Sequence, residues 1–116
     1  DGLDEISMGA TTTVCEINDG TLTNYKLDPR DYGFKFCARG ELVGGDPAQN
    51  AEIARAIFSG EKSPRRDAVV LNAAAALYVA GKAPSIEDGV RLATSLIDNG
   101  EAYQKMRDFI NITNTV

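Results

Sequence analysis

The sequence predicts an α/β chain in which a β-hairpin is followed by about four helices. Two observations predict the hairpin: a run of β-branched residues at 11–17 and an Asp-Gly pair shortly after it. A third observation predicts the helices, because apolar residues recur every three or four positions from residue 47 onward. No repeat or linker divides the 116 residues, which fit one domain with a modest core.

The predicted hairpin occupies the first quarter of the chain. Residues 11–17 form the first strand, and Asn18-Asp19-Gly20 is a turn signal because Asp-Gly tolerates positive φ. Residues 21–27 return as the second strand, which Pro29 stops because proline lacks an N–H donor. Alternation predicts one buried face on the second strand, made of Thr23, Tyr25 and Leu27.

A glycine-rich segment at 28–46 shows little periodicity. It predicts an irregular connection with one short helical turn. Phe34 and Phe36 are expected to anchor this connection to the core rather than to stack on a ligand.

The first two helices carry clear start and stop signals. Asp46-Pro47 and Ser63-Pro64 each pair an N-cap residue with proline at the first helical position. Gly60 is expected to end the first helix. The second helix is apolar nearly all round from Val69 to Ala80, so we expect it to be covered on several sides.

Two further helices complete the chain. Ser85 is the predicted N-cap of the third, with Asp88 as a weak capping-box partner, and Asn99-Gly100 ends that helix. The last helix is expected at 101–110, and the tail at 111–116 is expected to fray.

Composition excludes several classes of function. The net charge of −5 and the pI near 4.6 argue against binding to nucleic acid or to anionic membranes. The chain contains no run of 18 apolar residues, so the sequence predicts no transmembrane helix. The absence of histidine excludes His-based triads and His-ligated zinc. Cys15 and Cys37 are expected to be free thiols of a cytosolic protein.

An acidic pair, Asp4-Glu5, follows Gly2 near the start of the chain. Adjacent carboxylates suit a hard cation such as Mg²⁺, which takes oxygen ligands and keeps several waters. The alternative is a solvated acidic segment with no ligand. A metal-binding turn at residue 4 has little scaffold before it, so we expect the chain to begin within a larger protein.

Three other features have a structural and a functional interpretation. Gly44 to Pro47 resembles a phosphate loop, but Asp46 at the helix cap favours capping over anion binding. A basic cluster before the second helix is expected to tether a loop through an acidic partner rather than to bind an anion. Its members are Lys62, Arg65 and Arg66. Asn72 interrupts the apolar helix and is expected to tether a neighbouring backbone.

Seven sequence blocks, taken in order, resemble the C-terminal part of the anthranilate phosphoribosyltransferase family. The resemblance covers essentially the whole chain and two positions depart from it, with Ala10 where Pro is common and Ser63 where Gly is common. Both departures concern loop geometry and leave the acidic pair untouched. The blocks are 1–7, 9–11, 18–20, 28–34, 44–47, 60–67 and 71–77.

The resemblance implies a fold and an activity. The fold is the C-terminal part of a nucleoside phosphorylase/phosphoribosyltransferase-like α/β domain, so residues 1–116 are expected to lack its upstream strands and N-terminal helical domain. The intact enzyme joins anthranilate to phosphoribosyl pyrophosphate (PRPP) and releases pyrophosphate. Asp4 and Glu5 correspond to the pair that binds Mg²⁺ beside the PRPP diphosphate, and no other residue receives a catalytic assignment.

The resemblance also implies a cytoplasmic enzyme of tryptophan biosynthesis that forms a homodimer through the N-terminal helical region. The isolated chain is then expected to be inactive and to expose apolar surface. Two alternatives stay open. One is a related pyrimidine nucleoside phosphorylase-like enzyme, which competition between anthranilate and a nucleoside would reveal. The other is a free-standing, non-catalytic binding module that uses its hairpin edge or its apolar helix.

Overall fold

The computed structural model describes residues 1–115, and its elements follow the predicted order of a hairpin and then helices. Two short 3-10 helices at Pro29–Tyr32 and Arg39–Leu42 join the hairpin to the first α-helix. The other elements are β1 (Thr12–Asn18), β2 (Thr21–Leu27), α1 (Pro47–Phe58), α2 (Pro64–Val79), α3 (Ile86–Asp98) and α4 (Glu101–Thr113).

The hairpin pairs β1 with β2 in an antiparallel register. Its two-residue loop has positive φ at Asp19 (48°) and at Gly20 (78°), which matches the twist of the flanking strands. Leu27 is buried and Tyr25 half-buried, whereas Thr23 is exposed. The predicted inner face of β2 is therefore confirmed only at the end that reaches the helices.

The connection at 28–46 contains two 3-10 helices where one helical turn was predicted. Phe34 packs against both core clusters, as expected. The prediction for Phe36 was wrong, because its ring is exposed and lies 4.3 Å from the guanidinium carbon of Arg30. A cation over the ring face stabilises an aromatic side chain without burying it.

Side-chain caps begin α1 and α2. The Asp46 carboxylate accepts a hydrogen bond of 2.9 Å from the Gln49 N–H, and the Ser63 hydroxyl accepts one of 3.2 Å from the Arg66 N–H. The capping interpretation of residues 44–47 is confirmed. The Gln49 N–H that an anion would need is already used by Asp46.

The core has two parts, and α2 contributes to both. Leu71 and Ala74 pack with Met8 and Leu27, while Val70 on another side of α2 packs with Ala93 and Ile97 of α3. The prediction that α2 is covered on several sides is confirmed, although two of its large apolar side chains reach the surface. Val69 is 36% exposed and Val79 is 85% exposed.

The predicted N-cap Ser85 and the predicted end of α3 at Asn99 are confirmed, and each of the last two helices differs from expectation in one detail. At the start of α3, the Asp88 carboxylate accepts a hydrogen bond from the Ser85 hydroxyl and not from a backbone N–H. The predicted end of α4 was wrong, because the helix continues to Thr113. Val116, in the tail expected to fray, lies outside the described residues.

A two-stranded sheet is marginal by itself. Within residues 1–115 the hairpin is the whole sheet, and apolar side chains stay exposed near it, including Ile17 (73%) and Val79 (85%). This agrees with the expected piece of a larger α/β domain. Across the same described range, no helix has the length and apolar character needed to cross a bilayer. Both cysteines are free thiols.

Candidate functional site

The acidic pair lies on a tight turn before β1. Gly2 adopts a φ of 84°, and the Asp1 carboxylate accepts hydrogen bonds from the Leu3 N–H (3.2 Å) and the Ser7 hydroxyl (2.5 Å). These contacts fold the segment back on itself, and Asp4 and Glu5 lie at its exposed crest. Sequence reasoning assigned no role to Asp1 or Ser7, although the Asp1-Gly2 dipeptide is a turn signal that could have indicated one.

The end of this turn is anchored in the core. Ser7 is 3% exposed and Met8 is 1% exposed. The Met8 carbonyl accepts a hydrogen bond of 3.1 Å from the Cys37 N–H, and the Ser7 hydroxyl oxygen accepts one of 3.0 Å from the Gly9 N–H. The acidic crest is therefore solvated, while the residues that follow it are fixed.

Asn72 ties the turn to the middle of α2. Its side-chain oxygen accepts a hydrogen bond of 3.0 Å from the Ile6 N–H, and its amide nitrogen donates one of 3.0 Å to the Ile6 carbonyl. The same nitrogen donates to the Ala68 carbonyl at 2.9 Å. The prediction that Asn72 tethers a neighbouring backbone is confirmed.

The acidic pair borders an apolar cleft of about 550 Å³. Ile53 and Phe58 of α1 and Val69 of α2 line it opposite the turn. This cleft accounts for the partial exposure of Val69 that the sequence did not predict. Its walls come from segments far apart in the chain, which explains why no local pattern revealed it.

The donor set at the crest fits Mg²⁺ in one respect. Asp4 and Glu5 are exposed, and across residues 1–115 neither carboxylate enters an ion pair. Within the same range no cluster of three carboxylate or thiolate ligands surrounds them. Mg²⁺ commonly takes one or two carboxylates and completes its shell with water and substrate phosphates. The pair therefore suits a shared site better than a closed protein cage.

The neighbouring basic residues have mainly structural partners. Arg66 is 4% exposed, and its guanidinium donates to the Asp98 carboxylate at 2.7 Å and to the Gly60 carbonyl at 3.4 Å. Arg65 donates to the Val43 carbonyl at 2.7 Å from the rim of the cleft. The expected acidic partner is confirmed for Arg66, whereas Arg65 tethers a loop through a backbone carbonyl and Lys62 is exposed.

Asp67 is a carboxylate whose pKa is shifted mainly by burial. Desolvation raises the pKa of Asp67 above its usual value, and the nearby Arg66 lowers it by a smaller amount. Asp67 faces a different cleft from that of the acidic pair, which it shares with Lys62. The structure therefore does not bring Asp67 to the candidate site.

Residues 1–103 match the family model described as "Glycosyl transferase family, a/b domain". An anthranilate phosphoribosyltransferase of Methanobrevibacter smithii is 56% identical over 115 residues, or 99% of this chain and 34% of the relative. That of Clostridium beijerinckii is 48% identical over 97% of this chain and 33% of the relative. The chain thus spans about a third of the length of these curated relatives.

Solved structures give the same result. The anthranilate phosphoribosyltransferase of Thermus thermophilus superposes with a TM-score of 0.86 at 39% identity, covering 96% of this chain and 33% of that one. The Saccharomyces cerevisiae enzyme in complex with PRPP and Mg superposes with a TM-score of 0.86 at 25% identity, over 99% and 33%. The hairpin and the four helices therefore have the arrangement seen in those structures.

Proposed function

Since the chain belongs to the glycosyl transferase family, in its a/b domain, we propose that it is part of an anthranilate phosphoribosyltransferase. The carrying observation is the 56% identity with the Methanobrevibacter smithii enzyme over 115 residues. In the proposed reaction the anthranilate nitrogen forms a bond to ribose C1 of PRPP. The bond from C1 to the pyrophosphate oxygen breaks, the pyrophosphate leaves, and the nitrogen loses a proton.

Asp4 and Glu5 are the proposed Mg²⁺ ligands. Support comes from their exposure at the cleft rim and from the Saccharomyces cerevisiae structure whose complex contains PRPP and Mg. When bound, Mg²⁺ neutralises negative charge that develops on the leaving pyrophosphate. The pair fits this role because two carboxylates leave coordination positions for phosphate oxygens and water.

The remaining residues of the site position this pair and shape the cleft beside it. Asp1 holds the turn closed, Asn72 fixes its end, and the wall at Ile53 and Phe58 makes one side of the site apolar. An apolar wall strengthens charge interactions at its edge. We propose that the contacts to anthranilate, and most contacts to PRPP, come from the part of the enzyme that this chain does not span.

Four further properties belong to the same proposal. The intact enzyme is a cytoplasmic homodimer, and residues 1–116 contribute the C-terminal part of its α/β catalytic domain. The chain by itself is inactive, because two exposed carboxylates without the rest of the substrate site hold neither PRPP nor anthranilate.

The test uses the native polypeptide that carries this sequence, purified from its source or expressed in full. Loss of anthranilate fluorescence is followed with PRPP and increasing Mg²⁺. We expect Mg²⁺-dependent consumption of anthranilate, and a fall of at least about 100-fold for Asp4→Asn or Glu5→Gln at limiting Mg²⁺. Glu61→Gln is the matched control, because Glu61 is exposed and does not line the cleft.

Other results would contradict the proposal. Phosphorolysis of a pyrimidine nucleoside without turnover of anthranilate would identify the related phosphorylase activity instead. Full activity in both Asp4→Asn and Glu5→Gln would remove the acidic pair from the metal site. Turnover by residues 1–116 alone would contradict the proposed dependence on the rest of the enzyme.

A further inference from the structure

We propose that Asn72 is a positioning residue for the acidic pair, and that it sets how tightly Asp4 and Glu5 hold a divalent cation. This inference rests on the proposed function of that pair. The observation behind it is the paired hydrogen bonding between the Asn72 amide and the backbone of Ile6, with 3.0 Å at each contact.

The location of Ile6 gives the contact its importance. Ile6 directly follows Glu5, so both backbone groups that Asn72 holds belong to the residue next to the pair. The Asp1 contacts to Leu3 and Ser7 close the turn only onto itself. The Ile6 side chain also packs against the core cluster of α2, but within residues 1–115 the Asn72 contact is the side-chain hydrogen bonding that joins the backbone of the turn to α2, and therefore to the wall of the cleft.

Asn72 is itself held firmly. Leu71 beside it and Ala74 two residues later are both 0% exposed, which fixes α2 in the core. The third hydrogen bond, to the Ala68 carbonyl one turn earlier in α2, fixes the amide plane. A rigid element therefore carries the group that orients the turn, as a supporting shell around a metal site requires.

The amide is chemically suited to this task. Asparagine offers an acceptor and a two-hydrogen donor in one plane, so it pairs with one residue's N–H and C=O as a neighbouring strand would. An apolar side chain at position 72 would fill the helix surface but leave the N–H and C=O of Ile6 without their partner on α2, so that only side-chain packing would restrain this backbone. The crest would then sample several orientations, and a cation would be bound by two carboxylates that are no longer preorganised.

The test measures binding separately from turnover. Mn²⁺ is titrated into the native polypeptide with PRPP present, and electron paramagnetic resonance counts free Mn²⁺. Asn72→Ala and Asn72→Gln are compared with Val70→Ala, which removes buried volume from a different side of α2. We expect a dissociation constant for Mn²⁺ raised about 10-fold or more by Asn72→Ala and less by Asn72→Gln, with Val70→Ala unchanged.

Kinetics and amide exchange supply two further readouts. The Mg²⁺ concentration for half-maximal rate should rise in Asn72→Ala, while the KM for anthranilate stays within about twofold, because only the metal end of the site is loosened. Hydrogen exchange at the Ile6 amide should be slow in the unsubstituted protein and fast in Asn72→Ala.

The results that would contradict the role of Asn72 differ from those that would contradict the proposed function. Fast hydrogen exchange at the Ile6 amide in the unsubstituted protein would contradict the restraint that Asn72 is proposed to place on Ile6, and this result does not require that the variants fold. Equal Mn²⁺ affinity in Asn72→Ala and Val70→Ala reduces Asn72 to a stability role. Absence of anthranilate turnover in the unsubstituted protein would refute the proposed function instead. The rate of hydrogen exchange at the Ile6 amide would still show whether Asn72 holds this backbone.

Discussion

Tyr78 on α2 donates its phenolic hydrogen to the carboxylate of Glu16 on β1. The contact joins two residues 62 positions apart and fastens the hairpin to the helices. The pKa of the Tyr78 phenol is raised above its ordinary value. The largest cause is this hydrogen bond, followed by burial and by the negative charge of Glu16. Burial, followed by Glu16, also raises the pKa of Tyr25 on β2.

The first prediction concerns stability at alkaline pH. A phenol whose pKa is higher in the folded than in the unfolded state stabilises the protein while it is protonated. That stability is complete below the unfolded value, near 10.0, and is lost as pH rises through the folded value. We expect the free energy of unfolding to fall above about pH 10, and to fall less in Tyr78→Phe. Urea unfolding between the neutral and the strongly alkaline range measures both slopes.

Tyr103→Phe is the control for that prediction, because Tyr103 lies on α4 and outside the Glu16 cluster. It should reproduce the alkaline slope of the unsubstituted protein. Near neutral pH, Tyr78→Phe should also speed hydrogen exchange in β1, because the hairpin loses the hydrogen bond between Glu16 and α2. A steeper alkaline slope in Tyr78→Phe than in the unsubstituted protein would contradict the assignment.

The second prediction concerns the ion pair between Arg66 and Asp98. The guanidinium is buried, at 5% side-chain exposure, while the Asp98 carboxylate is 50% exposed. Asp98→Asn leaves a buried cation with a weaker partner, and we expect a loss of about 1–3 kcal/mol in the free energy of unfolding. Glu87→Gln removes one of the two exposed carboxylate partners of Arg91 and should cost less than about 0.5 kcal/mol. Denaturant unfolding that ranks the two variants equally would show that burial of Arg66 contributes nothing.

The third prediction concerns the crossing of α2 and α3. Gly89 of α3 lies so close to α2 that an added Cβ would be 2.5 Å from the Ala74 carbonyl oxygen. That atom is backbone and has no flexible end to move, so Gly89→Ala should lower stability by about 1–3 kcal/mol despite the better helix propensity of alanine. Gly40→Ala is the control, since no atom lies within 4 Å of its added Cβ. A gain in thermal stability for Gly89→Ala would contradict the close approach.

Local signals predicted the elements well, because each was set by residues close in sequence. Asp19-Gly20 predicted the hairpin loop, and Asp46 and Ser63 predicted the starts of α1 and α2. Asn72 was also interpretable, because a lone amide in an apolar helix must find polar partners. The sequence could not predict which backbone segment Asn72 contacts, since Ile6 lies 66 residues away.

What the sequence did not reveal depends on contacts between distant segments. The partner of Arg66 is Asp98, 32 residues further on, and no spacing rule connects them. Phe36 looked like a core residue, but Arg30 stacks on it at the surface. The cleft beside Asp4 and Glu5 exists only where α1, α2 and the first turn meet. Alternation and capping patterns are local, so they do not predict contacts between distant segments.

The fourth prediction concerns Asp67 in the first turn of α2. Burial raises the pKa of this carboxyl, and the opposing effect of Arg66 is smaller. An acid whose folded pKa is higher than its unfolded value, near 3.8, binds its proton more tightly when folded. Stability therefore falls as pH rises through the interval between the two values. At neutral pH the ionised Asp67 carries a net cost, which Asp67→Asn should remove.

We expect Asp67→Asn to stabilise the protein at neutral pH by at most about 1 kcal/mol, because solvent still screens part of the carboxylate. The gain should shrink as pH falls toward 3.8, where the unfolded Asp67 also becomes protonated. Glu52→Gln on the exposed face of α1 is the matched neutralisation and should leave the pH profile of stability unchanged. Urea unfolding at about pH 4 and about pH 7 decides the matter. A variant less stable than the unsubstituted protein at neutral pH would mean that Arg66, or the N-terminal end of α2, stabilises the charge more than burial opposes it.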